Sequence, residues 1–181
     1  MYTSVLEKIA QTLSAEAIPY MIIGGQAVLL YGEPRLTKDV DVTLGADLDQ
    51  LPEMLRLVEQ MRFDVLVDPE TFTRQTMVLP CQDPETGVRV DFIFSFSAFE
   101  QEALRRVNCV VIGNTEVCFA AVEDLIVYKM VAGRPRDLED VKSVLNRNPT
   151  IDVSYVQYWL RLFSDALGYA LLDQFEQIRT P

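Results

Sequence analysis

Apolar positions along the first third of the chain follow two different periods, one typical of helices and one typical of strands. Residues 4 to 14 and residues 47 to 61 carry apolar side chains at helical spacing. Tyr20 to Ile23 form a short apolar run that predicts a buried strand, and Gln26 to Tyr31 predict a helix after two glycines. Thr37 to Leu44 alternate polar and apolar residues, which predicts a strand with one buried face.

The middle of the chain predicts strands joined by turns. Two extended runs, Phe72 to Leu79 and Val88 to Ser95, flank the turn-forming segment 82–87, so we expect them to pair antiparallel. A short helix is predicted near residues 98 to 104. A second hairpin is predicted over residues 108 to 119.

Beyond about residue 120 the apolar pattern is wholly helical. The predicted helices cover residues 122–132, 136–146, 153–163 and 165–178. The predicted fold class is therefore α+β, with a small mixed sheet flanked by helices and a C-terminal helical part. We expect a core over residues 1–120 and a helical extension over residues 121–181 that packs on it.

The composition narrows the chemistry that this chain can perform. Its 181 residues include no histidine and carry a net charge of −11. Catalysis by Ser-His-Asp or Cys-His groups and zinc held by histidine are therefore excluded. Any metal is expected to be held by oxygen ligands, which suits Mg²⁺ or Mn²⁺. The excess of negative charge disfavours broad binding to nucleic acid, because phosphate backbones are repelled.

Cysteine spacing and hydropathy bear on the compartment. Cys81, Cys109 and Cys118 follow no C-x-x-C spacing, so we expect them to be reduced and packed in or near the core. The longest apolar run, Ile18 to Tyr31, is interrupted by two glycines and is too short to span a bilayer. It also lacks the features of a signal peptide. These observations predict a cytoplasmic protein that does not contact the membrane.

The clearest chemical pattern is a pair of aspartates in a predicted strand. Asp39 and Asp41 are two residues apart, so their side chains point to the same face. Two such carboxylates repel each other, and a divalent cation between them removes the repulsion. Asp91 lies on the polar face of another predicted strand. If the two strands are neighbours, three carboxylates converge into a ligand set for two Mg²⁺ ions; the alternative is a solvated strand face.

The segment from Ile23 to Val42 resembles the signature of the nucleotidyltransferase superfamily. Ile23-Gly24-Gly25 is followed, after thirteen residues, by Asp39-Val40-Asp41-Val42. With Arg35 and Thr37 included, the segment resembles the G-x-A…R-x-T-x-D-x-D variant. That variant is typical of the AbiEii-like and related small bacterial nucleotidyltransferases associated with toxin–antitoxin systems.

A later helical segment resembles a second motif of the same group. Lys129 is followed by Arg134, Asp137 and Asp140 in an R-x-x-D-x-x-D arrangement. The two motifs together span roughly residues 18 to 145. For Lys129, a lysine that only extends its amine from a partly buried helix face is an equal alternative to a phosphate contact.

The resemblance implies a Mg²⁺-dependent enzyme (Mn²⁺ is the other candidate ion) that moves a nucleoside monophosphate from an NTP to a hydroxyl acceptor. Asp39, Asp41 and Asp91 would be the metal ligands and catalytic carboxylates. The residues expected to contact the nucleotide are Gly24, Gly25, Arg35, Thr37 and Lys129. A tRNA end, a protein or a small molecule such as an aminoglycoside all stay open as acceptor, and the acidic composition favours the last two.

Two other functions stay open on the sequence alone. One is a non-catalytic antitoxin or other interaction protein that binds a partner, and a homo-oligomer is equally compatible with the sequence. The other is a soluble α+β domain whose acidic residues are only surface groups. The three aspartates favour the enzyme, because a carboxylate within an apolar strand, such as Asp91, destabilises the fold unless something pairs with it.

Overall fold

The computed structural model describes residues 2–180, and contacts divide the chain into two units. The first unit contains the residues up to Gln26 together with Thr37–Ala120. The second contains Ala27–Leu36 and the residues from Ala121 onwards. Segment 27–36 therefore belongs with the C-terminal helices, although sequence analysis places it within the core.

The first unit is a mixed β-sheet with helices. Its elements are α1 (Tyr2–Ala15), β1 (Tyr20–Ile22), the start of α2 (Gly24–Tyr31), β2 (Asp39–Leu44), a short 3₁₀ helix (Leu48–Gln50), α3 (Leu51–Gln60), β3 (Asp64–Val65), α4 (Pro69–Thr76), β4 (Val78–Gln82), β5 (Arg89–Phe94), α5 (Ala98–Arg105), β6 (Asn108–Ile112) and β7 (Thr115–Phe119). The strand order is β3-β4-β5-β2-β1-β7-β6. β2 pairs parallel with β5, and β1 pairs parallel with β7; the other neighbours are antiparallel. The predicted fold class, α+β with a mixed sheet, is confirmed.

The two central strands bury one face completely. Val40 and Val42 of β2 and Val90 and Phe92 of β5 have no exposed surface. Burying each such side chain contributes about 1.5–3 kcal/mol. Because side chains alternate along a strand, this burial forces the odd-numbered residues of both strands onto the opposite face. The sequence alternation that predicted β2 is thus also what orients its two aspartates.

The stretch before β4 differs from the sequence prediction. Residues 72–76 were expected in a strand, but they belong to helix α4, which Asp68 caps by accepting a hydrogen bond from Thr71 N at 2.8 Å. Pro69 occupies the first turn, where it costs no backbone hydrogen bond. The helix ends at Met77, which has a φ of 64°. The strand therefore begins only at Val78, and β3, which pairs with it, was not predicted.

The hairpin of β6 and β7 corrects the prediction for the cysteines. Cys109 and Cys118 are directly opposite each other in this antiparallel pair, and they form a disulfide bond. The expectation of three reduced cysteines is therefore wrong for these two. Cys81 is free and fully buried in β4, as expected.

The second unit is helical. It contains most of α2 and the helices α6 (Val122–Ala132), α7 (Pro135–Arg147), α8 (Val153–Leu167) and α9 (Leu171–Arg179). Gly133 ends α6 with a φ of 62°, and Pro135 begins α7. The four predicted helices are present, but α8 continues to Leu167 and α9 begins only at Leu171, so the break between them lies at Gly168 and not at residue 164. Within residues 2–180, no helix is long and apolar enough to cross a membrane.

Candidate active site

Two of the three predicted carboxylates are brought side by side by the central strands. β2 and β5 run parallel with Asp41 directly opposite Asp91, and with Asp39 opposite Arg89. Neighbouring strands lie about 4.8 Å apart, so the side chains of such a pair are within reach of each other. Asp41 and Asp91 are half-buried and Asp39 is exposed. The condition set by the sequence, that the two strands are neighbours, is met.

Arg89 is a member of this cluster that sequence analysis missed. Its Nε donates a hydrogen bond to Asp91 Oδ1 at 3.1 Å, and the side chain of Arg89 is 51% exposed. The signal was present in the sequence, because Arg89 is two residues before Asp91 and so shares its strand face. The face therefore carries three carboxylates and one guanidinium.

The first glycine of the motif packs against Asp41. Gly24 has a φ of +61°, and a Cβ atom added to it would lie 1.9 Å from Asp41 Oδ2. Ile23 N also donates a hydrogen bond to Asp41 O at 2.9 Å. Helix α2 begins at Gly24, so its positive N-terminal end lies at this carboxylate. Backbone amides at such a helix end also bind phosphate groups.

Two buried polar atoms beside these residues lack a hydrogen-bond partner within the described part of the chain. They are Gln26 Nε2, in the first turn of α2, and Thr43 Oγ1, two residues beyond Asp41 on the same strand face. Their side chains are only 5% and 1% exposed. Buried polar atoms almost always have partners, so these two are exceptions to the usual pattern.

Thr37 lies outside the strand in which it was predicted. β2 begins at Asp39, so Thr37 does not share the strand face of the aspartates. Its Oγ1 donates to Asp39 O at 3.3 Å, and its carbonyl accepts a hydrogen bond from Tyr2 Oη at 2.7 Å. These bonds hold the backbone immediately before the first aspartate.

Arg35 and Lys129 belong to the second unit, where both are paired with aspartates. Lys129 is 5% exposed, and its Nζ lies 2.7 Å from Asp137 Oδ1 and 2.9 Å from Asp140 Oδ2. Arg35 donates two hydrogen bonds to Asp140, from Nε at 2.7 Å and from Nη2 at 2.8 Å. The R-x-x-D-x-x-D element thus supplies the carboxylates of a buried ion-pair network. The predicted contacts of Arg35 and Lys129 with nucleotide stay predictions.

The charges shift the pKa values of nearby groups. Burial, with a smaller effect from the charge of Asp91, raises the pKa of the Cys81 thiol to about 12. Cys81 is therefore a protonated, unreactive thiol at neutral pH. In the second unit, burial alone would raise the pKa of Asp137, but hydrogen bonds from Arg134 and Lys129 outweigh it and hold that pKa below its usual value.

The donor set of the first unit suits a hard divalent cation, because its oxygens are carboxylates. Arg89 already places a positive group on Asp91, as a metal ion would. Among residues 2–180, however, no three acidic or cysteine side chains are arranged to hold a metal ion as they stand. The residues fit the ion by their chemistry.

Comparison with protein families gives one match. Residues 2–162 match a family described as a nucleotidyltransferase of unknown function (DUF6036), which covers most of the chain. The sequence matches no curated protein.

Solved structures with the same fold come from nucleotidyltransferase-like proteins. The antibiotic-resistance factor ANT(2'')-Ia in solution has a TM-score of 0.63 at 16% identity, with 92% of this chain and 93% of that chain covered. A crystal structure of ANT(2'')-Ia with adenylyl-2''-tobramycin has a TM-score of 0.62 at 16% identity, with coverage of 92% and 98%. An antigenic nucleotidyltransferase-like protein from Paracoccidioides brasiliensis has a TM-score of 0.56 at 17% identity, with coverage of 96% and 91%. At these identities the likeness shows the fold.

Proposed function

The chain belongs to this nucleotidyltransferase family, and on that premise we propose that it transfers a nucleoside monophosphate from an NTP to a hydroxyl acceptor. The observation that carries the proposal is the in-register pairing of Asp41 with Asp91 beside the N-terminal end of α2. Carboxylates attract a cation, and a helix N-terminus attracts phosphate. A metal–nucleotide complex carries both groups.

Each residue of the site has a separate task in this proposal. Asp39, Asp41 and Asp91 would hold Mg²⁺, or Mn²⁺ in its place. The bound ion would neutralise charge on the phosphates and on the attacking oxygen. Gly24 and Gly25 let backbone amides approach the phosphates without a Cβ atom in the way.

In the transfer itself, one proton moves, one P–O bond forms and one P–O bond breaks. The acceptor hydroxyl oxygen forms a bond to the α-phosphorus, and the bond from that phosphorus to the oxygen bridging to the β-phosphate breaks. Pyrophosphate leaves with the electrons of the broken bond. We assign the removal of the hydroxyl proton to Asp91, because it lies in register with Asp41 and is partly open to solvent.

We place the acceptor among small molecules. The net charge of −11 repels a large RNA and attracts cationic small molecules. ANT(2'')-Ia, which shares the fold, has been crystallised with adenylyl-2''-tobramycin, an adenylylated small molecule. A protein acceptor, a role in a toxin–antitoxin or defence system and a cytoplasmic location stay predictions from the sequence.

The test is transfer of labelled nucleotide. Each of the four NTPs, labelled at the α-phosphate, is incubated with Mg²⁺, the protein and a panel of aminoglycosides and other polyhydroxylated small molecules. We expect label on one class of acceptor with the wild type and none with Asp41→Asn. The control is Glu53→Gln, which removes an exposed carboxylate from helix α3, outside the strands that carry the site, and it should keep activity. Label on the protein itself would move the acceptor to the protein class, and metal-dependent NTP binding without any transfer would favour a non-catalytic interaction protein.

A further inference from the structure

Four charged side chains occupy neighbouring positions on the polar face of β2 and β5. Asp39 lies opposite Arg89, and Asp41 lies opposite Asp91. Along β5, Arg89 is bound to Asp91 at 3.1 Å. The only cation of this set is thus attached to a carboxylate that the proposed function requires for the metal ion.

A metal ion and a guanidinium compete for the same carboxylate. Both are cations, so they repel each other when held by one Asp91 side chain. The ion pair of Arg89 with Asp91 is an exposed one, and such pairs are weak. A divalent cation that also binds Asp41 would therefore displace the guanidinium from Asp91.

The displaced guanidinium has a suitable ligand nearby. Half of the Arg89 side chain is exposed, so it is free to rotate, and within residues 2–180 only its Nε makes a hydrogen bond. Arginine binds phosphate with two parallel hydrogen bonds, which a triphosphate offers along its length. The helix end at Gly24 places the expected phosphates next to the same carboxylate cluster.

We propose that Arg89 is a phosphate-binding residue of the nucleotide site, which pairs with Asp91 while the metal is absent and transfers to the triphosphate when metal and NTP bind. This inference rests on the proposed function. It adds a role for a residue outside the Gly-Gly and D-x-D motifs. It also gives a reason why, among residues 2–180, no three acidic side chains stand as metal ligands, because Asp91 is engaged by Arg89.

The two roles predict opposite effects of one substitution. We expect the Arg89→Gln variant to bind Mn²⁺ alone roughly two- to fivefold more tightly than wild type does, because the ion no longer has to break an exposed ion pair and this fold-change corresponds to the free energy of such a pair. In the presence of saturating Mg²⁺, NTP should bind about tenfold more weakly, because a charge-assisted bond to phosphate is lost. Binding of Mn²⁺ is measured by the electron paramagnetic resonance signal of the free ion, and binding of NTP by calorimetry.

Lys38→Gln is the matched control. Lys38 is exposed and immediately precedes Asp39, and Asp91 is paired with Arg89, so this variant removes one positive charge near the site and leaves that ion pair in place. An increase in Mn²⁺ affinity that is equal in both variants would mean general electrostatics and would overturn the inference. Arg89→Lys, which keeps the charge but loses the planar donor set, should show an intermediate loss of NTP affinity.

The outcomes separate this inference from the proposed function. Wild type that binds Mn²⁺ and NTP, together with an Arg89→Gln variant that binds both like wild type, overturns the role of Arg89 and leaves the proposed function standing. Wild type that binds neither overturns the proposed function, and the inference fails with it. Thermal unfolding of each variant is recorded first, so that a loss of fold is not counted as a loss of phosphate contact.

Discussion

The contact between Gly24 and Asp41 gives the sharpest prediction of a substitution. Gly24→Ala puts a Cβ atom 1.9 Å from Asp41 Oδ2 and 2.9 Å from its Cγ, so the whole carboxylate must rotate away. The backbone adds a second effect, because alanine at a φ of +61° costs about 1–2 kcal/mol. Gly87→Ala is a matched control: its φ is +72°, and nothing lies within 4 Å of the added Cβ.

The two effects separate when both variants are measured. Unfolding in urea should show that Gly87→Ala loses about 1–2 kcal/mol, since it places alanine in the left-handed region, and that Gly24→Ala loses at least as much, since it also displaces the Asp41 side chain. Calorimetry should show that only Gly24→Ala loses Mg²⁺-dependent NTP binding, by at least about tenfold, because only there is a carboxylate displaced. The reasoning is refuted if Gly24→Ala binds NTP like wild type, or if Gly87→Ala loses binding equally.

Three further predictions concern stability. Lys129→Met should lower the free energy of unfolding in urea by about 1.5–3 kcal/mol, because Asp137 and Asp140 each lose a charge-assisted hydrogen bond and keep only their arginine partners. A loss smaller than 1 kcal/mol would contradict this. Burial raises the pKa of Asp83 and Asp137, but their hydrogen bonds outweigh burial and hold both pKa values below the usual value. The two ionised carboxylates therefore stabilise the folded state fully above about pH 4, and this contribution is lost as the pH falls through the lowered pKa. Urea unfolding between pH 5 and pH 2 should show that Asp83→Asn weakens this dependence, and an unchanged slope would refute it. Reduction of the Cys109–Cys118 disulfide should lower the stability by about 2–3 kcal/mol, and equal urea midpoints with and without reductant would contradict this.

The central strands could be predicted because one residue pattern carries both their structure and their chemistry. Alternation in residues 39 to 44 predicts that Asp39 and Asp41 share a face, and burial of the intervening valines enforces it. The partnership of β2 with β5 could only be stated as a condition. Pairing between distant segments depends on the whole sheet, and no local pattern encodes the register of Asp41 with Asp91.

Other differences have identifiable physical causes. Segment 69–76 contains three threonines, which favour strands locally, but Asp68 and Pro69 start a helix that tertiary packing then completes. The disulfide was predictable in principle, since Cys109 and Cys118 lie at equal distances from the centre of the predicted turn at 113–114.

The pairing of Lys129 could not be predicted in the same way. Whether a lysine contacts phosphate or a buried aspartate depends on which side chains pack around it. That is a tertiary property, and the R-x-x-D-x-x-D spacing alone is compatible with both.

The most direct test of the central claim is calorimetric binding of each NTP, with and without Mg²⁺, by wild type and by the Asp39→Asn/Asp41→Asn double variant. The account predicts that at least one NTP binds the wild type only when Mg²⁺ is present, and that the double variant, while still folded, loses this binding. Absence of NTP binding by the wild type under every condition, or binding that the double variant retains, would contradict the assignment of the nucleotide site to the aspartates of β2 and β5.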